Sequence, residues 1–133
     1  MRSRSEECST SVDLFDFDLI TGEGVFYKCG AAASYLKRDG SIFRIRSETA
    51  PIGIMKNIDA ERIRVEVRGG DYLVMISDGI SQTVEDSAWL LEFLAKPITL
   101  DVAAYAELII DEAIKRGRSY DDLSVAVARI IKL

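Results

Sequence analysis

The stretch that most constrains this chain is Tyr72-Leu73-Val74-Met75-Ile76-Ser77-Asp78-Gly79-Ile80. It opens on an unbroken apolar run rich in β-formers, which predicts a short strand buried on both faces. Ser-Asp-Gly then stops the strand, and the glycine is expected to let the backbone turn sharply. Asp78 would sit at the tip of a rigid, buried strand, a placement that suits a metal ligand or a catalytic acid. The same tripeptide also serves as an ordinary strand-closing turn, so by itself it leaves both readings open.

A second stretch has the same character in reverse. Tyr120-Asp121-Asp122-Leu123-Ser124-Val125-Ala126-Val127-Ala128-Arg129-Ile130-Ile131 is an acidic pair running into an apolar strand. Two such strands lying side by side could bring the carboxylates at their tips together. Clustered aspartate oxygens are the ligand set that hard cations such as Mg²⁺ and Mn²⁺ prefer. The chain contains no histidine. That removes Ser-His-Asp and Cys-His catalysis, histidine-based zinc sites and histidine general bases together. Carboxylate, metal, lysine and hydroxyl chemistry remain.

Between and around these stretches the pattern is mostly strand, then helix. Ser9 to Ile20 alternates at its centre, with Val12, Leu14 and Phe17 set against Asp13, Asp16 and Asp18. This predicts a strand with a solvated acidic face, a turn at Thr21-Gly22-Glu23-Gly24 and a partner strand over Val25 to Cys29. Gly30-Ala31-Ala32-Ala33 reads as a close-packing run. Ser34 to Lys37 and Ile42 to Ile45 form a second hairpin around Arg38-Asp39-Gly40. Glu48 to Asp59, broken by Pro51 and Gly53, reads as a loop. Arg62 to Arg68 alternates strictly, with Ile63, Val65 and Val67 inward. Asp86 or Ser87 is placed to cap a helix carrying Trp89, Leu90, Phe93 and Leu94, which Pro97 ends. Thr99 to Arg116 is the longest helix, with Val102, Tyr105, Ala106, Ile109, Ile110, Ala113 and Ile114 on one face and Gly117 as its stop. Strands, two helices and a closing strand predict an α+β fold, with helices on one face of a mostly antiparallel sheet.

Composition narrows the partners. At 133 residues the chain is one domain or less, with 48% hydrophobic and 29% charged residues suited to a single real core. A net charge of −5 argues against nucleic acid. Lys115-Arg116-Gly117-Arg118 is the one basic cluster, and it complements a helix C-terminus. No apolar run approaches the ~20 residues that span a bilayer, so no membrane contact is expected from this segment. Cys8 and Cys29 lack metal-type spacing, and a reduced, cytoplasmic setting with free thiols is expected.

Ser77-Asp78-Gly79 after a buried strand and Asp121-Asp122-Leu123-Ser124 before another resemble the metal-dependent protein phosphatase 2C superfamily. Its last motif usually reads Asp-Asn-hydrophobic-Thr, so Asp122 and Ser124 stand where Asn and Thr are usual. Within the superfamily the chain is most similar to the stage II sporulation protein E family. The opening Met1 to Asp13, Lys28 to Arg38, Ala50-Pro51-Ile52-Gly53-Ile54, Gly70-Asp71, Ser77 to Ile80 and the closing Asp-Asp strand carry that likeness along essentially the whole chain.

The resemblance implies part of an α/β/β/α sandwich and a serine/threonine phosphoprotein phosphatase. It implies two Mn²⁺ or Mg²⁺ ions between the sheets, activating a water for in-line attack on phosphorus. Asp78 and Asp121 would each be a metal ligand, while Asp122 and Gly79 would be second-sphere groups or further ligands. No catalytic side chain is implied, and no substrate-binding residue is assigned; the segment around Gly30 would lie near the substrate approach. The family also has an earlier strand pair with an aspartate and an Asp-Gly element bridging both ions, and neither precedes Ser9. The chain is therefore expected to be a C-terminal portion of the phosphatase domain, with little activity alone and self-association through exposed strand edges. A phosphorylated anti-anti-sigma factor is the implied partner substrate, in sporulation and sigma-factor regulation, and the parent protein would be cytoplasmic or anchored at the membrane's cytoplasmic face. A non-catalytic partner-binding module derived from the same fold is the alternative, and a Ser77 or Ser124 nucleophile is a third that lacks a visible base.

Overall fold

The structure, a computed structural model, describes residues 12–29, 31–46, 61–80, 87–117 and 123–131. Among them every strand pairing is antiparallel, and the chain divides into two units. The α+β expectation holds.

The first unit is built on β1 (Val12–Phe17), β2 (Glu23–Cys29) and β5 (Glu61–Glu66), in the order β1-β2-β5. The parity of β1 differs from the sequence reading. Asp13, Phe15 and Phe17 share the sheltered face, while Leu14 is 57% exposed. Aromatic burial decides it. The Phe15 ring lies 4.6 Å from that of fully buried Phe26 and 6.0 Å from that of Phe17, and three rings bury more apolar area than one leucine. Asp13 is consequently no part of a solvated acidic face. It accepts a hydrogen bond from the Lys28 ammonium at 2.7 Å, and Lys28 is wholly buried. The turn also falls earlier than expected, from Asp18 to Gly22. The Asp18 backbone closes it with Glu23 and Gly22, and its carboxylate accepts from the amides of Ile20 and Thr21. Gly24 is required by packing, because a Cβ there would stand 2.5 Å from the Phe15 ring.

The second unit holds β3 (Ser34–Arg38), β4 (Ser41–Ile45), β6 (Tyr72–Ile76) and β7 (Val125–Arg129), ordered β4-β3-β6-β7, with α1 (Ala88–Ala95) and α2 (Val102–Lys115). Tyr35, Val74, Ile76, Val125 and Val127 present one face of the sheet to Leu90, Leu94, Tyr105, Ile109 and Ala113 of the helices. Leu36 and Leu73, pointing the other way, are buried too, so β6 is sheltered on both faces as predicted. The helix ends differ from expectation in detail. Ser87 occupies the N-cap of α1, yet its hydroxyl accepts from the Arg44 guanidinium instead of a helix amide. Asp101 caps α2, accepting from the Ala104 amide at 2.8 Å. Ile114, assigned to the apolar face, is 49% exposed. Glu48 to Asp59, Asp86 and Cys8 lie outside the described residues, as does the side chain of Cys29.

Candidate functional site

Each end of β6 carries an aspartate, and the two have opposite surroundings. Asp71, before the strand, is 1% exposed. Its carboxylate receives Arg38 Nε at 3.1 Å and Arg38 Nη2 at 2.9 Å, and the Arg68 amide at 2.8 Å. Its backbone carbonyl accepts from the Ile130 amide, which fastens the β6 and β7 ends together. This forked, charge-assisted pairing fixes where β6 begins.

Asp78, beyond the other end, is exposed, and among the described residues its carboxylate makes no hydrogen bond or ion pair. The turn carrying it is nevertheless anchored. The Ile80 amide donates to the Ser77 carbonyl at 3.0 Å, and Ile80 is fully buried in the helix-covered core. Gly79 was expected to let the backbone turn sharply, and residues 78–80 do form a turn, though not by a positive φ. The positive φ values in the described chain fall at Asp39, Gly22, Gly70 and Gly117 instead. The tetrapeptide closes as a hydrogen-bonded turn without a left-handed residue at position 79.

The antiparallel ladder then decides what neighbours that tip. Ile76 stands opposite Val125, and the Ser77 amide donates to the Ser124 carbonyl at 3.0 Å. The Ser124 amide donates to the Ser77 hydroxyl at 2.9 Å. The C-terminal end of β6 and the N-terminal end of β7 therefore lie side by side. Asp121 and Asp122 precede Ser124 in sequence but are themselves outside the described residues. Among the described residues no three Asp, Glu or Cys side chains gather into a metal site. The Asp78 carboxylate fits a hard cation by its donor type, exposure and lack of a competing partner.

Sequence reading missed two buried cations. Lys28 and Lys37 are 0% and 5% exposed. The signal was present: in Ser34-Tyr35-Leu36-Lys37, alternation assigns Lys37 to the same face as core residue Tyr35.

Comparison with known proteins follows the same lines. The sequence model of the family described as Stage II sporulation protein E (SpoIIE) matches residues 1–131. The stage II sporulation protein E of Bacillus subtilis strain 168 is 31% identical over 132 residues, covering 95% of this chain and 16% of its own length. That of Priestia megaterium is 29% identical, covering 95% of this chain and 23% of its own length. The chain thus spans less than a quarter of each. Among solved structures, the PP2C phosphatase domain with a fragment of the regulatory domain of the cell fate determinant SpoIIE from Bacillus subtilis superposes with a TM-score of 0.79. The identity is 30%, over 91% of this chain and 38% of that one. The manganese-presoaked SpoIIE phosphatase domain gives 0.75 at 29% identity, over 92% and 57%. The catalytic domain of the serine/threonine phosphatase PstP, in complex with two manganese ions, gives 0.72 at 23% identity, over 92% and 59%, a likeness of fold.

Proposed function

From a chain that belongs to the stage II sporulation protein E family, we propose that these residues form part of a metal-dependent serine/threonine phosphoprotein phosphatase site. The observation that supports this most is the reciprocal pairing of Ser77 with Ser124, which sets the Asp78 tip beside the strand that Asp121 and Asp122 lead into. Asp78 and Asp121 would each be a metal ligand, with Asp122 and Gly79 as second-sphere groups or further ligands. When bound, Mn²⁺ or Mg²⁺ supplies a lowered pKa for water and charge neutralisation at a phosphoryl group. The protein's own contribution is positional. A strand fixed at one end by Asp71 and Arg38 and at the other by buried Ile80 holds the Asp78 carboxylate steady in solvent.

We infer further that the substrate is the phosphoserine of an anti-anti-sigma factor, in the setting of sporulation and a cytoplasmic reaction. None of the described helices is long and apolar enough to cross a membrane. A two-ion site of this kind needs bridging carboxylates besides Asp78, Asp121 and Asp122. We therefore expect these 133 residues alone to bind metal weakly, to turn over little substrate, and to self-associate through the strand edges at β1, β5, β4 or β7.

Calorimetric titration with Mn²⁺, beside Asp78→Ala, tests the reading. Binding in the range of roughly 10⁻³ M, abolished in the variant, is the expected result. Equal binding by both proteins would remove Asp78 from the site. Metal-independent capture of the anti-anti-sigma factor, with no turnover when the rest of the domain is supplied, would favour the partner-binding alternative.

A further inference from the structure

The second unit carries a notch of about 330 Å³ whose walls include Lys37, Asp39, Tyr72, Ala95, Pro97 and Ile98. It lies at the Tyr72 end of β6, away from Asp78. Register explains its composition. Lys37 stands directly across the ladder from Tyr72, and alternation puts both on the face that the helices cover. Ala95, Pro97 and Ile98, where the chain leaves α1, form a further wall.

Lys37 is the unusual wall. Its ammonium donates to the Leu94 carbonyl at 2.7 Å, in the last turn of α1, where a cation complements the helix's negative end. That accounts for one of three N–H donors. Among the described residues the ammonium has no other hydrogen-bond partner and no ion pair. A buried ammonium facing one neutral acceptor is held at a cost. Desolvation accordingly lowers the Lys37 pKa, and Asp39, acting through space from an exposed turn, offsets this only in part.

We propose that this notch is a binding site for a small monocarboxylate with an apolar body, its carboxylate taking the remaining Lys37 N–H donors and its body lying against Tyr72, Pro97 and Ile98. The charge balance selects the ligand. One buried cation with an aspartate at the rim suits a single negative charge and disfavours a phosphate dianion, which is typically met by several donors or an arginine fork. The volume lies at the small end of ligand pockets, enough for a single ring. This site is independent of the phosphatase reading, since none of its residues belongs to the Asp78 tip.

The test is a ¹H–¹⁵N titration of the chain with benzoate, benzamide and inorganic phosphate. Benzoate is expected to give saturable shifts at the Gly40, Gly70 and Ile98 amides, with benzamide weaker by roughly tenfold or more, as loss of a charge-assisted hydrogen bond implies. Lys37→Met, which keeps an unbranched stem of about the lysine's length up to Cε but lacks the ammonium, should weaken benzoate to the same degree. No saturable shift, equal binding of benzoate and benzamide, or preference for phosphate would overturn the proposal. The benzamide comparison decides the matter even if Lys37→Met does not fold.

Discussion

The two ends of β6 put the same side chain to opposite uses. Asp71 is buried, accepts three hydrogen bonds and is wholly committed to holding strands and a turn together. Asp78 is exposed, and no described group engages its carboxylate. A carboxylate already saturated by a guanidinium and an amide has no capacity left for a cation, whereas one held rigidly but left without partners does. Two aspartates flanking one strand are thus separable, by where their lone pairs go, into one committed to structure and one left open to solvent. Sequence position alone does not separate them.

The sharpest way to break this contrast is to remove the committed member. Asp71→Ala leaves the partly buried Arg38 without its forked partner and frees the Arg68 amide, and should cost about 3–5 kcal/mol. Urea denaturation measures it, and a loss below about 1 kcal/mol would contradict the role given to Asp71. A middle-sized effect probes the same end of the strand from the helix side. Among the described residues the Tyr105 hydroxyl is buried without a partner, and burial, with Tyr72 adding to it, pushes its pKa up to about 12 from 10.0. Tyr105→Phe should be neutral or stabilising by about 1 kcal/mol at neutral pH. Because the folded pKa is the higher one, the wild-type contribution is complete below pH 10 and is lost as pH rises towards 12. Tyr105→Phe should lack that loss, so the gap between the two proteins should widen in its favour over that window, as thermal melts at stepped pH would show. The smallest effect belongs to the free end. Asp78→Asn should move stability by no more than about 0.5 kcal/mol. A large loss there would mean that Asp78 has a structural partner after all.

Much of this was legible in the sequence wherever one periodicity dominated. The strict alternation of Arg62 to Arg68 and the apolar run of Tyr72 to Ile76 became β5 and β6, and the 3.6-residue pattern of Tyr105, Ile109 and Ala113 became the buried stripe of α2. The acidic strand Val12 to Phe17 was misjudged because both of its faces carry apolar residues. Only the tilted ring contact of Phe15 with Phe26, a cross-strand contact, selects between them. The same ambiguity hid the Asp13–Lys28 pair, since neither residue announces its partner fifteen positions away. At the candidate site, Ser77-Asp78-Gly79 and Asp121-Asp122 were legible as motifs. The adjacency of Ser77 and Ser124 depended on strand direction: a parallel arrangement of β6 and β7 would have put the two strand ends at opposite ends of the sheet.

The Ser77–Ser124 pairing also has a kinetic side. Its partners are 47 positions apart, and both helices lie in the intervening chain. Closing so long a loop carries an entropic cost that local helix formation does not, and non-local pairings of this kind tend to arrive late in folding. On a ribosome, β6 and its Asp78 tip would emerge well before the strand that completes their edge. The tip would therefore assemble only after synthesis has passed β7, and slow or interrupted translation would lengthen the time during which β6 waits with that edge open.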